Sequence, residues 1–267
     1  MPGRMRPGIF LCLVAAMLAT VSARAACPLP NNTERVRIAT VVDGDSLRLV
    51  GGERLRLVNV NAAEMNDRGD KLVWARRARR FVAEQLAKAE SVVIKRYGHD
   101  LYNRTLAEVF IDGRHLGETL LAEGLAWRIA VPPAVNVDNC LVEAEVEARQ
   151  SVRGLWRLAP LRSRNAGRSD QGFAILRGRV ESVTSAGGSL WIDLDGDVVL
   201  RLADKDRRYF ATAGDSAAPR VGQQLEVRGW LRHRRPPRPE FASLVMDLRH
   251  PLMVVPVAAS MHEKEAR

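Results

Sequence analysis

The chain has 267 residues, 46% hydrophobic and 27% charged, which excludes a disordered or collagen-like polypeptide and suggests two domains. Only 5% of residues are aromatic, so the cores must be mainly aliphatic. Lys and Arg outnumber Asp and Glu by 41 to 31, a net charge of +10. That balance suits either a polyanionic partner (nucleic acid or an anionic membrane surface) or a soluble protein with a basic face.

In chain order, Arg4 and Arg6 precede an apolar run from Ile9 to Val21. Ala23-Arg24-Ala25 follows with the small-x-small cleavage pattern. Residues 1–25 therefore read as a secretory signal peptide, whose apolar run of 13 residues is too short for a membrane span of about 20 residues. The expected mature chain is soluble and periplasmic or secreted. Cys27 and Cys140 remain after cleavage, an even pair in an oxidising compartment. A disulfide is expected, the alternative being two buried free thiols.

Arg35–Val42 alternates and is rich in β-branched residues, Asp43-Gly44 offers a turn, and Ser46–Val50 continues as a strand. Arg54–Val60 is a third strand. Lys71–Glu90 carries apolar residues at helical spacing, with Arg76, Arg77, Arg79 and Arg80 on what reads as a solvated face. Ser91–Arg96 and Thr105–Ile111 read as strands, Leu116–Glu123 and Leu141–Arg153 as helices. Residues 26–160 are thus α+β, a small barrel capped by helices. The stretch 161–172, LRSRNAGRSDQG, reads as a linker. Beyond it, Ala174–Val183, Leu190–Asp193, Val198–Leu202, Gln224–Leu231 and Phe241–Leu248 read as five strands. They make 173–258 a mostly-β, OB-like barrel, followed by a polar tail at 259–267.

Three fragments of the first part carry chemistry: Val42-Asp43-Gly44-Asp45-Ser46, Arg56 to Glu64, and Asp100-Leu101-Tyr102-Asn103-Arg104. Phosphodiester cleavage wants guanidinium groups to neutralise the transition state, a carboxylate to activate water, and a hard cation on oxygen ligands. Asp45, Arg56, Asn61, Glu64 and Arg104 supply such groups. Strand alternation would put Arg56, Val58 and Val60 on one face and Leu57, Asn59 and Asn61 on the other.

These fragments, with Glu123-Gly124-Leu125-Ala126 and the closing Arg153-Gly154-Leu155-Trp156, resemble the staphylococcal thermonuclease (micrococcal nuclease) family over nearly all of 35–157. The resemblance implies an OB-type barrel and a calcium-dependent phosphodiesterase acting on DNA or RNA. By position it implies Arg56 and Arg104 as phosphate-binding arginines and Glu64 as the water-activating carboxylate. It likewise implies Asp45, Asn61 and the Ala62 carbonyl as calcium ligands, Asp43 as an acid behind them, and Tyr102 in the nucleotide pocket. The family usually has an aspartate where this chain has Asn61 and a proline where it has Ala63. Loss of a carboxylate predicts weak calcium binding, and loss of the proline a less rigid Glu64 loop. The reading is an exported nuclease of little sequence preference, the rival a periplasmic nucleic-acid-binding protein that has lost catalysis. In the second part, Asp193 to Asp197 reads as a hairpin turn. Trp191 and Trp230 with Arg232, Arg234, Arg235 and Arg238 would suit single-strand binding, or else the two tryptophans are core residues.

Overall fold

The computed structural model describes residues 26–133, 135, 138–211, 219–236, 238 and 240–257. The expected signal peptide and polar tail lie outside them. Among the described residues no helix is long and apolar enough to cross a membrane.

The strands of the first half are β1 (Glu34–Arg35), β2 (Ile38–Asp43), β3 (Ser46–Leu49), β4 (Arg54–Leu57), β5 (Val60–Ala62), β6 (Val92–His99), β7 (Thr105–Ile111), β8 (Arg114–His115) and β9 (Ala126–Arg128), all but β5 and β9 belonging to the barrel sheet. β1 and β2 are the one strand expected from the sequence, interrupted at Val36 and Arg37. β1 pairs with β6 and β2 with β3, so this single stretch of chain closes a sheet of order β2-β3-β4-β7-β6-β1. Within it β4 and β7 run parallel, Leu55 opposite Thr105. β5 leaves the barrel to pair with β9, Asn61 opposite Trp127.

Helix α1 (Gly69–Ala87) buries Ala75, Ala78 and Val82. Small residues there let it sit close over the β2–β3 hairpin. A Cβ on Gly44 would lie 2.6 Å from the Ala78 Cβ and 2.8 Å from the Ala62 Cβ. Only glycine fits that turn. Helix α2 (Leu116–Ala122) is capped by the His115 Nδ1, which accepts from the Glu118 N–H at 3.0 Å. Helix α3 (Asn139–Gln150) begins beside the disulfide between Cys27 and Cys140, whose Cα atoms are 5.3 Å apart.

The second barrel has β10 (Leu161–Arg162), β11 (Gly172–Ala186), β12 (Ser189–Leu194), β13 (Val198–Ala203), α4 (Asp204–Ala211), β14 (Gln224–His233), β15 (Leu244–Asp247) and β16 (Val254–Pro256). The strands β11-β12-β13-β15-β14 return to β11, which makes a closed five-stranded barrel around Leu176, Ile192, Leu200, Leu231 and Met246. The segment expected as a linker is ordered instead. Leu161–Arg162 adds a parallel strand beside Leu176–Arg177, and Ser163 is buried. Turn-type composition there reflects tight backbone packing: a Cβ on Gly196 would meet the Arg164 backbone at 2.6 Å.

The two barrels share a core. Trp127 stacks on Phe173, which meets Trp230 edge-on, at centroid separations of 5.1 and 5.2 Å. Ala63, Leu155 and Met253 belong to the same apolar cluster. Around it, Arg228 Nη1 donates to the Arg128 carbonyl at 2.9 Å and to the Glu145 carboxylate at 2.8 Å. Arg149 grips Glu226 with two bonds of 2.7 and 2.6 Å, and Lys71 Nζ donates to the Phe173 carbonyl at 2.8 Å.

Candidate active site

The end of β4 and the start of β5 are joined by an elbow. Asn59 adopts a left-handed conformation, φ 61°, so the strand alternation expected from Arg56 to Asn61 is broken there. The elbow folds Asn61 back onto Arg56 rather than onto the opposite face. Arg56 Nη1 donates to the Leu57 and Val60 carbonyls, both at 2.8 Å. Its Nη2 donates to Asn61 Oδ1 at 2.8 Å and lies 3.2 Å from Asp45 Oδ2. Arg56 is thus buried, and both of its terminal nitrogens are bonded to protein. Of the two arginines expected to hold phosphate, this one is turned inward and fixes the elbow.

Asp45 Oδ2 accepts the Ala62 N–H at 2.6 Å and Oδ1 accepts the Ser46 hydroxyl at 2.9 Å. Asn61 Nδ2 donates to the Ala62 carbonyl at 3.1 Å. The three groups expected to ligate calcium, Asp45, Asn61 and Ala62, are therefore brought together but deeply buried, and their oxygens already accept hydrogen bonds from protein donors. Only one of them carries a charge, and Arg56 neutralises it. This donor set does not fit a divalent cation. Among the described residues no group of three His, Cys, Asp or Glu could hold a metal either.

Glu64 is placed differently. Its N–H donates to Asp67 Oδ2 at 2.8 Å, and the Asp67 N–H returns a bond to the Glu64 carbonyl at 2.9 Å. The side chain is exposed, and no described residue bonds its carboxylate. Protein packed around one side of it raises its pKa, and the charges of Asp45, Asp67 and Asp43 push the same way, against a smaller opposing effect of Arg56. Asp43 accepts the Met65 N–H at 3.1 Å, so it anchors the far end of the same loop, and burial raises its pKa too. The loop missing its proline at Ala63 is held by these two aspartates and by burial of Ala63 in the cluster shared with Phe173 and Met253. An open cleft runs past this loop, lined by Thr40, Val41, Asp43, Arg48, Glu64, Met65, Asn66 and Arg79.

Arg104 stands one residue before the Leu55–Thr105 pair, which puts it on the Arg56 face of the sheet. Its Nε donates to Asp100 Oδ2 at 2.7 Å and its backbone N–H to Asp100 Oδ1 at 2.9 Å. Burial alone would raise the Asp100 pKa, but these bonds and that from the Tyr102 N–H outweigh it and lower the value. No described residue takes the two terminal nitrogens of Arg104. Its guanidinium lies 5.5 Å from the ring of Tyr102, which is 72% exposed.

The structure gathers Asp43, Asp45, Arg56, Asn61, Ala62 and Glu64 at one end of the first barrel and sets Arg104 and Tyr102 on the neighbouring strand's approach. Sequence reasoning missed Asp67, Arg48 and Arg79. The Glu-x-x-Asp spacing of a reciprocal turn was a signal for Asp67. Arg48 and Arg79 carried no signal of their own.

The basic face expected on the second barrel is largely satisfied internally. Arg232 pairs with Asp247, Arg238 lies 3.8 Å from Glu240, and Arg234 covers Trp191 at 4.7 Å. Trp230 lies in the seam between the barrels. Asp195 and Asp197 cap turns by accepting the Arg179 and Ser243 N–H groups.

The first barrel thus presents an unpaired carboxylate in an open, arginine-bearing cleft. Residues 54–158 match the model of the family described as Staphylococcal nuclease homologue. A protein of Escherichia coli O157:H7 named "Uncharacterized endonuclease" is 31% identical over 124 residues, 45% of this chain and 75% of that protein; one from Escherichia coli gives the same figures. A protein of the same name from Haemophilus influenzae is 25% identical over 148 residues, 54% of this chain and 77% of its own length. The chain belongs to the staphylococcal nuclease family.

Proposed function

We propose that this chain is an exported nuclease that hydrolyses phosphodiester bonds of DNA or RNA with little sequence preference. The observation that carries the reading is Glu64: an exposed carboxylate without a bonding partner among the described residues, with a raised pKa, fixed by Asp67 in an open cleft. Such a group can take a proton from the attacking water. Arg104 offers two terminal nitrogens for the phosphate, a fork that matches its oxygens. The open cleft suits a substrate read by its backbone rather than its bases. The N-terminal pattern and the Cys27–Cys140 bond support an oxidising location outside the cytoplasm. The family resemblance implies calcium dependence, but the oxygens of Asp45, Asn61 and Ala62 are already taken by protein donors. No step is assigned to the ion, because the donor set does not fit it.

Asn61 and the inward-facing Arg56 favour a second reading, a binding protein without catalysis. Digestion of DNA and RNA by the mature chain, with added calcium and again with chelator, decides between them. Cleavage should fall at least about 100-fold in Glu64→Gln. Equal activity in that variant overturns the assignment of Glu64. Absence of cleavage under every condition, with retained nucleic-acid binding, establishes the second reading.

A further inference from the structure

The cleft beside Glu64 contains two cations that neither the family motifs nor the reading above employs. Arg48 projects from β3 and Arg79 from α1, both exposed, and both line the same cleft as Asp43 and Glu64. Arg79 is near enough to favour the ionised form of Asp43, yet the two make no ion pair. Arg48 makes a single long contact, Nη1 to the Gly52 carbonyl at 3.5 Å.

The other arginines of α1 behave differently. Arg77 lies over the Trp74 ring at 4.6 Å, and Arg80 is bonded to Glu84 at 2.7 Å. Arg76, three residues before Arg79, shares its stripe of the helix and has no partner among the described residues. So one helix carries two kinds of arginine, those with a local role and those without, and of the latter Arg79 lines the cleft. An arginine there has an electrostatic task. Two carboxylates, Asp43 and Glu64, face any phosphate that enters and would repel it. With Arg56 turned inward, Arg48 and Arg79 are the cations that line this cleft and offset that repulsion.

We infer that Arg48 and Arg79 form a phosphate subsite next to the scissile position, and that Arg76 extends it along α1, so that the backbone of a nucleic acid crosses the barrel mouth beneath this helix. The inference rests on the nuclease reading and adds to it the path of the substrate. Each arginine binds a phosphate through charge and two parallel N–H bonds, without reading sequence.

The test uses the full mature chain carrying Glu64→Gln, so that binding is measured without cleavage. A labelled single-stranded oligodeoxynucleotide is titrated in chelator over a range of potassium chloride concentrations, read by fluorescence anisotropy. Arg79→Ala and Arg48→Ala should each flatten the log–log salt slope by about 0.7 and weaken binding about fivefold at 0.1 M salt. Arg79→Lys should keep most of the slope, because charge is retained. Arg77→Ala and Arg80→Ala should change neither quantity. An unchanged slope in Arg79→Ala, or equal losses in the Arg77 and Arg80 variants, overturns the subsite while leaving the nuclease reading intact. Failure of the parent chain to bind nucleic acid at all overturns that reading, and the subsite with it.

Discussion

Asn61 is the residue whose replacement should change how the site responds to calcium. Its Oδ1 accepts from Arg56 and its Nδ2 donates to the Ala62 carbonyl. Asn61→Asp keeps the shape, keeps the bond from Arg56, and removes the donor to Ala62. One guanidinium then faces two buried carboxylates, with Asp45 Oδ2 already 3.2 Å away. A carboxylate oxygen also comes to face the Ala62 carbonyl oxygen with no proton between them. Without a cation this leaves an unsatisfied buried acceptor, at a cost of about 1–3 kcal/mol. With calcium the same crowding becomes a ligand set of two carboxylates and a carbonyl. A site of that charge count outside the cell works in a range down to about 10⁻⁴ M. At a hundredfold excess of calcium over Kd, linkage gives about 2.7 kcal/mol, or a rise of about 5–10 °C in Tm. Thermal unfolding of parent and variant, each in chelator and in calcium, measures this. The variant should melt below the parent in chelator and recover in calcium, while the parent, with its oxygens already bonded, moves by less than about 2 °C. A variant indifferent to calcium, or a parent that responds equally, would refute this account of the three oxygens.

Other outcomes follow from the same geometry. Arg56→Ala strands a buried Asp45 and should destabilise the chain by about 3–5 kcal/mol in urea unfolding, whereas Arg104→Ala, whose partner is partly exposed, should stay within about 1 kcal/mol. Replacing Cys27 and Cys140 together by alanine opens a loop of 113 residues in sequence separation and should cost about 4–5 kcal/mol on the chain-entropy model, read as a Tm lowered by about 10–20 °C. His115 is buried against Phe110 and its pKa is lowered by desolvation to about 4. The unfolded chain takes up this proton first, near pH 6.5. The stabilisation is therefore complete above 6.5 and is lost as pH falls through 4, about 3 kcal/mol in all. The stability difference between the parent and His115→Asn, which keeps a capping oxygen, should shrink by that amount from pH 7 to 4; a constant difference would mean that His115 is not held neutral.

Much of the architecture was legible because it is local. Thr105–Ile111 was expected as a strand and is one, since β-branched and aromatic residues between turn signals have few other solutions. The five strands of the second barrel were found for the same reason. Helix α4 was not, because Asp204–Ala211 is short and mostly charged, with Phe210 its one large buried apolar side chain. β9 escaped notice because three residues carry no period; its partner β5 defines it. At the site, residue types were legible but their engagement was not. Nothing in the string from Arg56 to Asn61 announces a left-handed Asn59, and that one backbone angle turns Arg56 from a substrate group into a clasp. Arg79 looked like an ordinary helix surface residue because a sequence does not say which side of a helix lies over a cleft.

The shared core between the barrels has a consequence for how the chain comes into being. Glu145 and the Arg128 carbonyl are completed by Arg228, and Trp127 by Phe173, contacts that span 83, 100 and 46 positions of sequence. Ala63, beneath the Glu64 loop, lies in a cluster that also requires Met253. A ribosome or an export channel delivers the polypeptide from its amino end. The half that carries the Glu64 cleft is therefore delivered early, yet its contacts include residues near the end of the described chain. The packing beneath the Glu64 loop is thus complete only with residues from the far end of the described chain in place.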